Sequence, residues 1–434
     1  MRLRHLELMN MRLFGEPRVA ADFDSQKNIT ILLGNNGCGK TTVLDAIASL
    51  VDPYTSTFSG RHRGRTILDT DIHLTENGRL SPYLSLSADF IDTATNETIS
   101  VVRNRRGLDA AQTSALTEMR SYALGLRNSI LHEESVILPI LAYYGTGRGQ
   151  IKAPERRRNF QREYERWDCY TNAMTPNTEF KRFQAWFDTM EDEERRQQGV
   201  LQDFSYKLPV LECVRRAVEQ LVGEKYRNPR TEIHPLRFVL DEIDGDGNTL
   251  REMRLTQFSD GYKIITAMVA DIASRMAEAN PGMEDPLQSP GIVLIDEIDL
   301  HLHPSWQRTI LRSLKEVFPN VQFIVTTHSP VVVIGAINIA QVLHLDGNRI
   351  HNMPLDTYQD YDAGLLLLSE LFGMDSIQRQ EIELLQEEQL SLLQRRNLSE
   401  QQQRRLAELD RRLHNQPVAA MSVYADMLRT VLNS

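Results

Sequence analysis

Polar and apolar side chains alternate through residues 2–9, and this stretch together with residues 17–23 predicts two short strands. Residues 28–33 (NITILL) are a mostly apolar run that stops at Gly34. The period then changes. Across residues 40–51, Val43, Ile47 and Leu50 fall at i, i+4 and i+7, the spacing of one helix face. Leu84, Leu86, Ala88 and Phe90 alternate with polar neighbours, as in a half-buried antiparallel strand. A second strand is expected over 97–103, after the turn-like stretch Thr93–Asn96.

From 109 to 232 the pattern is helical and rich in charge, concentrated in 156–167 and 178–222. With no strand–helix alternation there, the segment reads as a helical insertion. Residues 235–243 and 249–256 flank DGDGN, a hairpin signal. Between 258 and 345, helix and strand alternate, the mark of a parallel sheet. The tail, 376–434, is Gln/Glu/Arg/Leu-rich and helical, with Ser399 and Gln402 placed for a capping box. The expected division is 1–108, an N-terminal lobe; 109–232, the insertion; 233–355, a C-terminal lobe; and 356–434, a helical tail.

Composition narrows the class. The 434 residues are 41% hydrophobic and 25% charged, an ordinary globular balance. Cys38, Cys169 and Cys213 are too few for a disulfide framework and fit a reducing compartment. No stretch approaches the ~20 apolar residues that cross a bilayer. The opening MRLRHLELMNMRL has no signal-peptide core, so a cytoplasmic protein without a membrane partner is expected. Lys and Arg number 49 against 59 Asp and Glu, a net charge of −10. That disfavours a surface coating nucleic acid throughout and leaves only local basic patches for such contact.

Residues 34–42, GNNGCGKTT, fit the phosphate-loop pattern G-x-x-x-x-G-K-[ST]. Glycines let the backbone curl its N–H groups inward on a phosphate, at the positive end of the following helix. Lys40 can reach the β- and γ-phosphates, and the Thr41 hydroxyl can ligate Mg²⁺. The preceding strand and following helix supply the required context. Residues 292–297, IVLIDE, form a buried strand ending in two carboxylates. Asp296 is suited to the Mg²⁺ shell and Glu297 to polarising an attacking water. The next strand, 321–326, runs into Thr327, His328 and Ser329. A right-handed crossover makes the two strands parallel neighbours, bringing His328 to the same edge.

Residues 258–263, FSDGYK, open a helix from Asp260 to about Ala279. In order along the chain, GNNGCGKTT, FSDGYK, LIDEIDLHLHP and TTHSP resemble the motifs of ABC-type ATPases of the RecF, SMC and OLD-like branch. PILAYYGTGR (139–148), the segment 167–187 and the helical tail are similar to stand-alone bacterial ATPases of Septu and retron-associated anti-phage systems. The resemblance implies an α/β fold: an ABC-type P-loop ATPase head, with a mixed sheet plus an antiparallel β subdomain, a helical insertion and a helical C-terminal tail. It implies ATP and Mg²⁺ as ligands. Asn36, Gly37, Cys38, Gly39, Lys40, Thr41 and Thr42 would hold phosphate, with Thr41 and Asp296 at the metal, Glu297 as general base and His328 as γ-phosphate switch. Ser259 and Gly261 would bind the γ-phosphate of an opposite subunit, in a homodimer or higher even oligomer closed around ATP. Asp299 matches the dimer-crossing loop, and Asn10 and Arg12 a pair near the nucleotide. Tyr143–Arg148 occupies the place of the glutamine-bearing loop, with Gln150 its candidate.

In this reading dimer closure controls a protein effector, an HNH or TOPRIM nuclease in trans, since the last sixty residues offer no nuclease signature. The alternative is a DNA repair or recombination ATPase acting directly on DNA. Phe258, Asp260 and Tyr262 replace the Leu, Gly and Gln of transporters and argue against a transport motor. Three basic groups bear on nucleic acid: Arg61, Arg63 and Arg65; Arg103, Arg105 and Arg106; and Arg156, Arg157, Arg158, Arg162 and Arg166, interleaved with aromatics. A solvated helix face explains the last group equally well. His301-x-His303 lacks further metal ligands nearby. Asp244, Asp246 and Asn248 lack the glycine and glutamate of a calcium loop and read as a hairpin turn.

Overall fold

The computed structural model describes residues 1–58, 66–106, 114–149, 164–176, 180–233, 236–359 and scattered positions between 361 and 409. The chain begins with β1 (Arg2–Met9), β2 (Val19–Asp22) and β3 (Ile29–Leu33), followed by helix α1 (Lys40–Phe58). The hairpin β4 (Tyr83–Ile91) and β5 (Thr98–Arg106) leads to α2 (Thr117–Leu131) and β6 (Ile140–Tyr144). Helices α3 (Lys181–Leu201) and α4 (Pro209–Val222) precede β7 (Tyr226–Ile233), β8 (Leu236–Ile243) and β9 (Thr249–Arg254). Then come α5 (Asp260–Ala279), β10 (Gly291–Ile295), α6 (Pro304–Val317), β11 (Val321–Thr326), α7 (Pro330–Ala336), β12 (Ala340–Asp346) and β13 (Arg349–Met353).

The central sheet runs β13-β12-β3-β11-β10-β6. All its pairings are parallel except β12 with β13. Every residue of β3, β6, β10 and β11 is buried, which is why these strands read as continuous apolar runs rather than alternations. The antiparallel sheet β2-β1-β4-β5 shows the other pattern, buried and open positions in turn. Two glutamines join the sheets. Gln322, 2% exposed on β11, donates to Leu3 O at 2.9 Å and accepts from Leu3 N–H at 2.7 Å. Gln341 on β12 accepts from Asp24 N–H and donates to Asp22 O, each at 2.9 Å. Each buried amide therefore has its partners, as such groups require. The fold is thus α/β, a parallel-dominated sheet with an antiparallel sheet beside it.

Three features depart from the sequence pattern. The segment 109–232 is not helical throughout: β6 lies inside it and pairs in register with β10, Ile140 opposite Gly291 and Tyr144 opposite Ile295. The segment therefore supplies a strand of the central sheet. Its end also holds β7, which joins the expected β8–β9 hairpin in a three-stranded sheet. Helix α1 does not stop at 51 but continues through Pro53 to Phe58. Val51, Tyr54 and Phe58 are buried, so packing carries the helix past a residue that lacks a backbone donor.

Residues 1–357 form one unit and 358–434 another. In the second, a short helix spans Ala363–Leu367, and the described positions from 385 to 409 are helical, with Arg405 paired to Glu388 at 3.0 Å. The expected capping box at Ser399 lies outside the described residues, as do Gln150, the Arg61–Arg65 group and Arg156–Arg162. Among the described residues no helix is long and apolar enough to cross a membrane.

Candidate nucleotide site

β3 ends at Leu33 and α1 begins at Lys40, so the phosphate loop bridges the edge of the parallel sheet and a helix N-terminus. Gly37 and Gly39 take φ of 80° and 99°. At Gly39 a Cβ would also come within 2.8 Å of the Phe14 ring, so this position needs glycine twice over. Asn36 and Gly37 are exposed, Cys38 is half-buried and Thr42 is buried. Lys40 is 6% exposed; its Nζ donates to Gly34 O at 2.8 Å and Asn35 O at 3.0 Å, with Cys38 Sγ at 3.8 Å. Burial pulls its pKa down from the usual lysine value.

The loop meets the end of β10 directly. Thr41 Oγ1 donates to Asp296 Oδ2 at 2.9 Å, across 255 residues of sequence. The other Asp296 oxygen accepts from Thr326 Oγ1 at 2.7 Å, and that hydroxyl in turn accepts from Glu297 N–H at 2.6 Å. Thr326 ends β11 and so holds both carboxylate residues that follow its neighbour strand β10. Glu297 is half-buried with φ 49°. Its charge and that of Asp296 act on both Lys40 and His328. Burial, then the nearby Lys40 charge, lower the His328 pKa below the ordinary 6.5, so its ring is neutral at pH 7. Thr327 Oγ1 donates to Asp299 Oδ1 at 2.6 Å and fixes the loop after the carboxylates. Hard oxygens from Thr41 and Asp296 are the donors Mg²⁺ takes alongside water and phosphate oxygens, so the residues present fit that ion.

The FSDGYK segment is built differently. Ser259 is the N-cap of α5, exposed, and its side chain makes no capping hydrogen bond. Asp260 pairs instead with Lys263 at 2.6 Å. Gly261 is buried, and a Cβ there would come within 2.3 Å of His301 O. Only glycine lets the helix tip approach the loop after β10 so closely. Aromatic rings lock this approach. Ring centroids lie 4.9 Å apart for Tyr226 and Phe258, 5.3 Å for Phe258 and Tyr262, and 4.5 Å for Tyr262 and Trp306 of α6. Tyr262 OH donates to Val222 O at 2.9 Å. The departures from the transporter pattern at 258 and 262 are thus packing residues.

The candidates fall into two groups. Lys40, Thr41, Asp296, Glu297 and His328 converge at one sheet edge, as the sequence anticipates. Asn10 and Arg12 are committed within the chain: Arg12 pairs with Asp45 and Asp71, each at 2.7 Å, and Asn10 donates to Glu16 at 3.2 Å. Arg103 and Arg105 are likewise spent, on Asp52 and Asp69. His303 caps α6 through Ser305, and Asp244 accepts from Asp246 and Asn248 N–H in the hairpin turn. Among the described residues no group of three or more His, Cys, Asp or Glu could hold a metal. Sequence reasoning missed Thr326 and Arg148. Thr326 had a signal, a hydroxyl at the end of the strand beside Asp296.

The family model described as "AAA domain, putative AbiEii toxin, Type IV TA system" matches residues 29–334, which contain the phosphate loop, FSDGYK, Asp296–Glu297 and His328. The chain belongs to this family. It is an AAA-domain ATPase. The "Retron Vc95 probable ATPase" of Vibrio cholerae serotype O1 biovar El Tor is 28% identical over 372 residues, spanning 76% of this chain and 71% of that protein. The "Septu protein PtuA" of Bacillus mycoides strain KBAB4 is 33% identical over 174 residues, 37% of this chain and 24% of that protein. A solved SMC head, bound to the C-winged helix domain of ScpA, is 17% identical with a TM-score of 0.49, over 82% of this chain and 99% of that one.

Proposed function

We propose that this AAA-domain ATPase hydrolyses ATP at a site shared by two copies of the chain, and that closing and reopening of the pair controls a partner effector in phage defence. The observation that carries the reading is the Thr41–Asp296 hydrogen bond: the phosphate loop and the carboxylate strand are already joined at the atoms that would share Mg²⁺. That ion, when bound, would screen phosphate charge and orient the triphosphate. Lys40 would exchange its two carbonyl acceptors for phosphate oxygens. Glu297 would take the proton of the water that attacks the γ-phosphorus as the bond to ADP breaks. His328, neutral at pH 7, would donate a ring N–H to the γ-phosphate.

Ser259 supports the shared site. An exposed serine at a helix N-terminus, with no capping bond of its own, is suited to a partner's γ-phosphate. The retron and Septu relatives support the defence role; a nuclease of the HNH or TOPRIM kind is the effector this reading expects. The test is Glu297→Gln. It should bind ATP and accumulate as a dimer on gel filtration with ATP, where wild-type protein cycles. A variant that stays monomeric with ATP while the wild type dimerises would refute the base assignment.

A further inference from the structure

Arg148 carries a charge yet is 1% exposed; it ends the stretch at the place of the glutamine-bearing loop, which gives the arginine itself no role. It follows β6 by four residues, beside the carboxylate strand β10. Its Nη1 donates to Gly145 O at 3.0 Å and to Asp296 O at 2.5 Å; its Nη2 donates to Glu297 O at 2.5 Å. These acceptors are all backbone carbonyls, and Nε is buried without an acceptor. Burial accordingly lowers the Arg148 pKa. A buried charge satisfied this way is a costly means of filling space.

What it holds is specific. The Asp296 and Glu297 carbonyls belong to the two peptide planes that flank the Glu297 Cα. Fixing both planes fixes where the Cα–Cβ bond points. Glu297 sits at φ 49°, a left-handed conformation in which a non-glycine residue persists only when its surroundings impose it. A planar guanidinium can grip two carbonyls at a set spacing; an ammonium cannot. We propose that Arg148 is a positioning residue for hydrolysis. By clamping the main chain on both sides of Glu297, it aims that carboxylate at the attacking water while touching no reacting atom. This rests on Glu297 being the base.

The test places Arg148→Met and Arg148→Lys in the wild-type and Glu297→Gln chains. It measures ATP affinity by calorimetry and single-turnover hydrolysis. Both arginine variants should bind ATP within about twofold of wild type and hydrolyse it about 10²-fold more slowly, the cost of a misplaced group. In the Glu297→Gln chain the same substitutions should slow hydrolysis no further. If Met destabilises the fold, as melting would reveal, Lys keeps charge and bulk and carries the comparison. Hydrolysis within threefold of wild type, equal fractional losses in both backgrounds, or ATP affinity falling in step with rate would each overturn the proposal. A Glu297→Gln chain hydrolysing at the wild-type rate would instead overturn the base assignment beneath it.

Discussion

The phosphate loop and the FSDGYK helix tip are both helix N-termini, yet they are finished to different degrees. At the first, Lys40 donates to the loop carbonyls of Gly34 and Asn35 at 2.8 and 3.0 Å, Thr41 donates to Asp296 at 2.9 Å, and Thr326 and Arg148 hold Asp296 and Glu297 from behind. At the second, the backbone is fixed by Gly261 and four aromatic rings, while Ser259 is exposed and makes no capping bond. One tip is assembled within the chain. The other is rigidly presented and chemically open. Such a contrast suits a site whose second half arrives on another molecule.

The contrast can be broken from either side. The largest effect is expected at Glu297→Gln, where loss of the base should lower kcat by about 10²–10⁴-fold with ATP affinity kept. Steady-state hydrolysis and calorimetry check it. Lys40→Ala comes next. Losing a charged donor should weaken ATP binding by about 10²-fold, and undiminished affinity by calorimetry would contradict the phosphate-loop assignment. Gly261→Ala sharpens the other half. A Cβ 2.3 Å from His301 O must push the helix tip or the loop aside. A stability loss of about 1–3 kcal/mol by denaturant unfolding is expected, with hydrolysis reduced more than ATP binding. The smallest effect is pH-dependent. Because His328 titrates below 6.5, its contribution to rate should be constant from pH 7 to 8 and change only in acid. Stability from its neutral state is complete above pH 6.5 and is lost as pH falls through the depressed folded value. His328→Asn should remove that part of the acid limb in a pH–rate profile.

Much of this was legible because the residues concerned have local signatures. A Gly-rich loop between an apolar run and a helical period marks the nucleotide site, and fully buried strands announce themselves as apolar runs. β6 escaped because ILAYY is a five-residue run inside a charged, helical-looking stretch, and its partner β10 lies about 150 residues away. Nothing periodic links the two. β7 escaped because Pro229 and a bulge between Arg227 and Arg230 interrupt it. The continuation of α1 was hidden by Pro53, whose usual meaning packing overrides. The part played by Arg148 could not be read, although the stretch it ends was singled out, since its partners are main-chain carbonyls and any residue at 145, 296 or 297 would supply them.

The central claim is that Ser259 of one molecule completes the Lys40 pocket of another, and mixing two crippled chains tests it most directly. Lys40→Ala lacks only the pocket and Ser259→Arg only the exposed hydroxyl, so each alone should be inactive. A mixed dimer would hold one intact composite site, and an equimolar mixture should recover up to about one quarter of the wild-type rate. A mixture as inactive as its components, while sedimentation shows mixed dimers present with ATP, would contradict it.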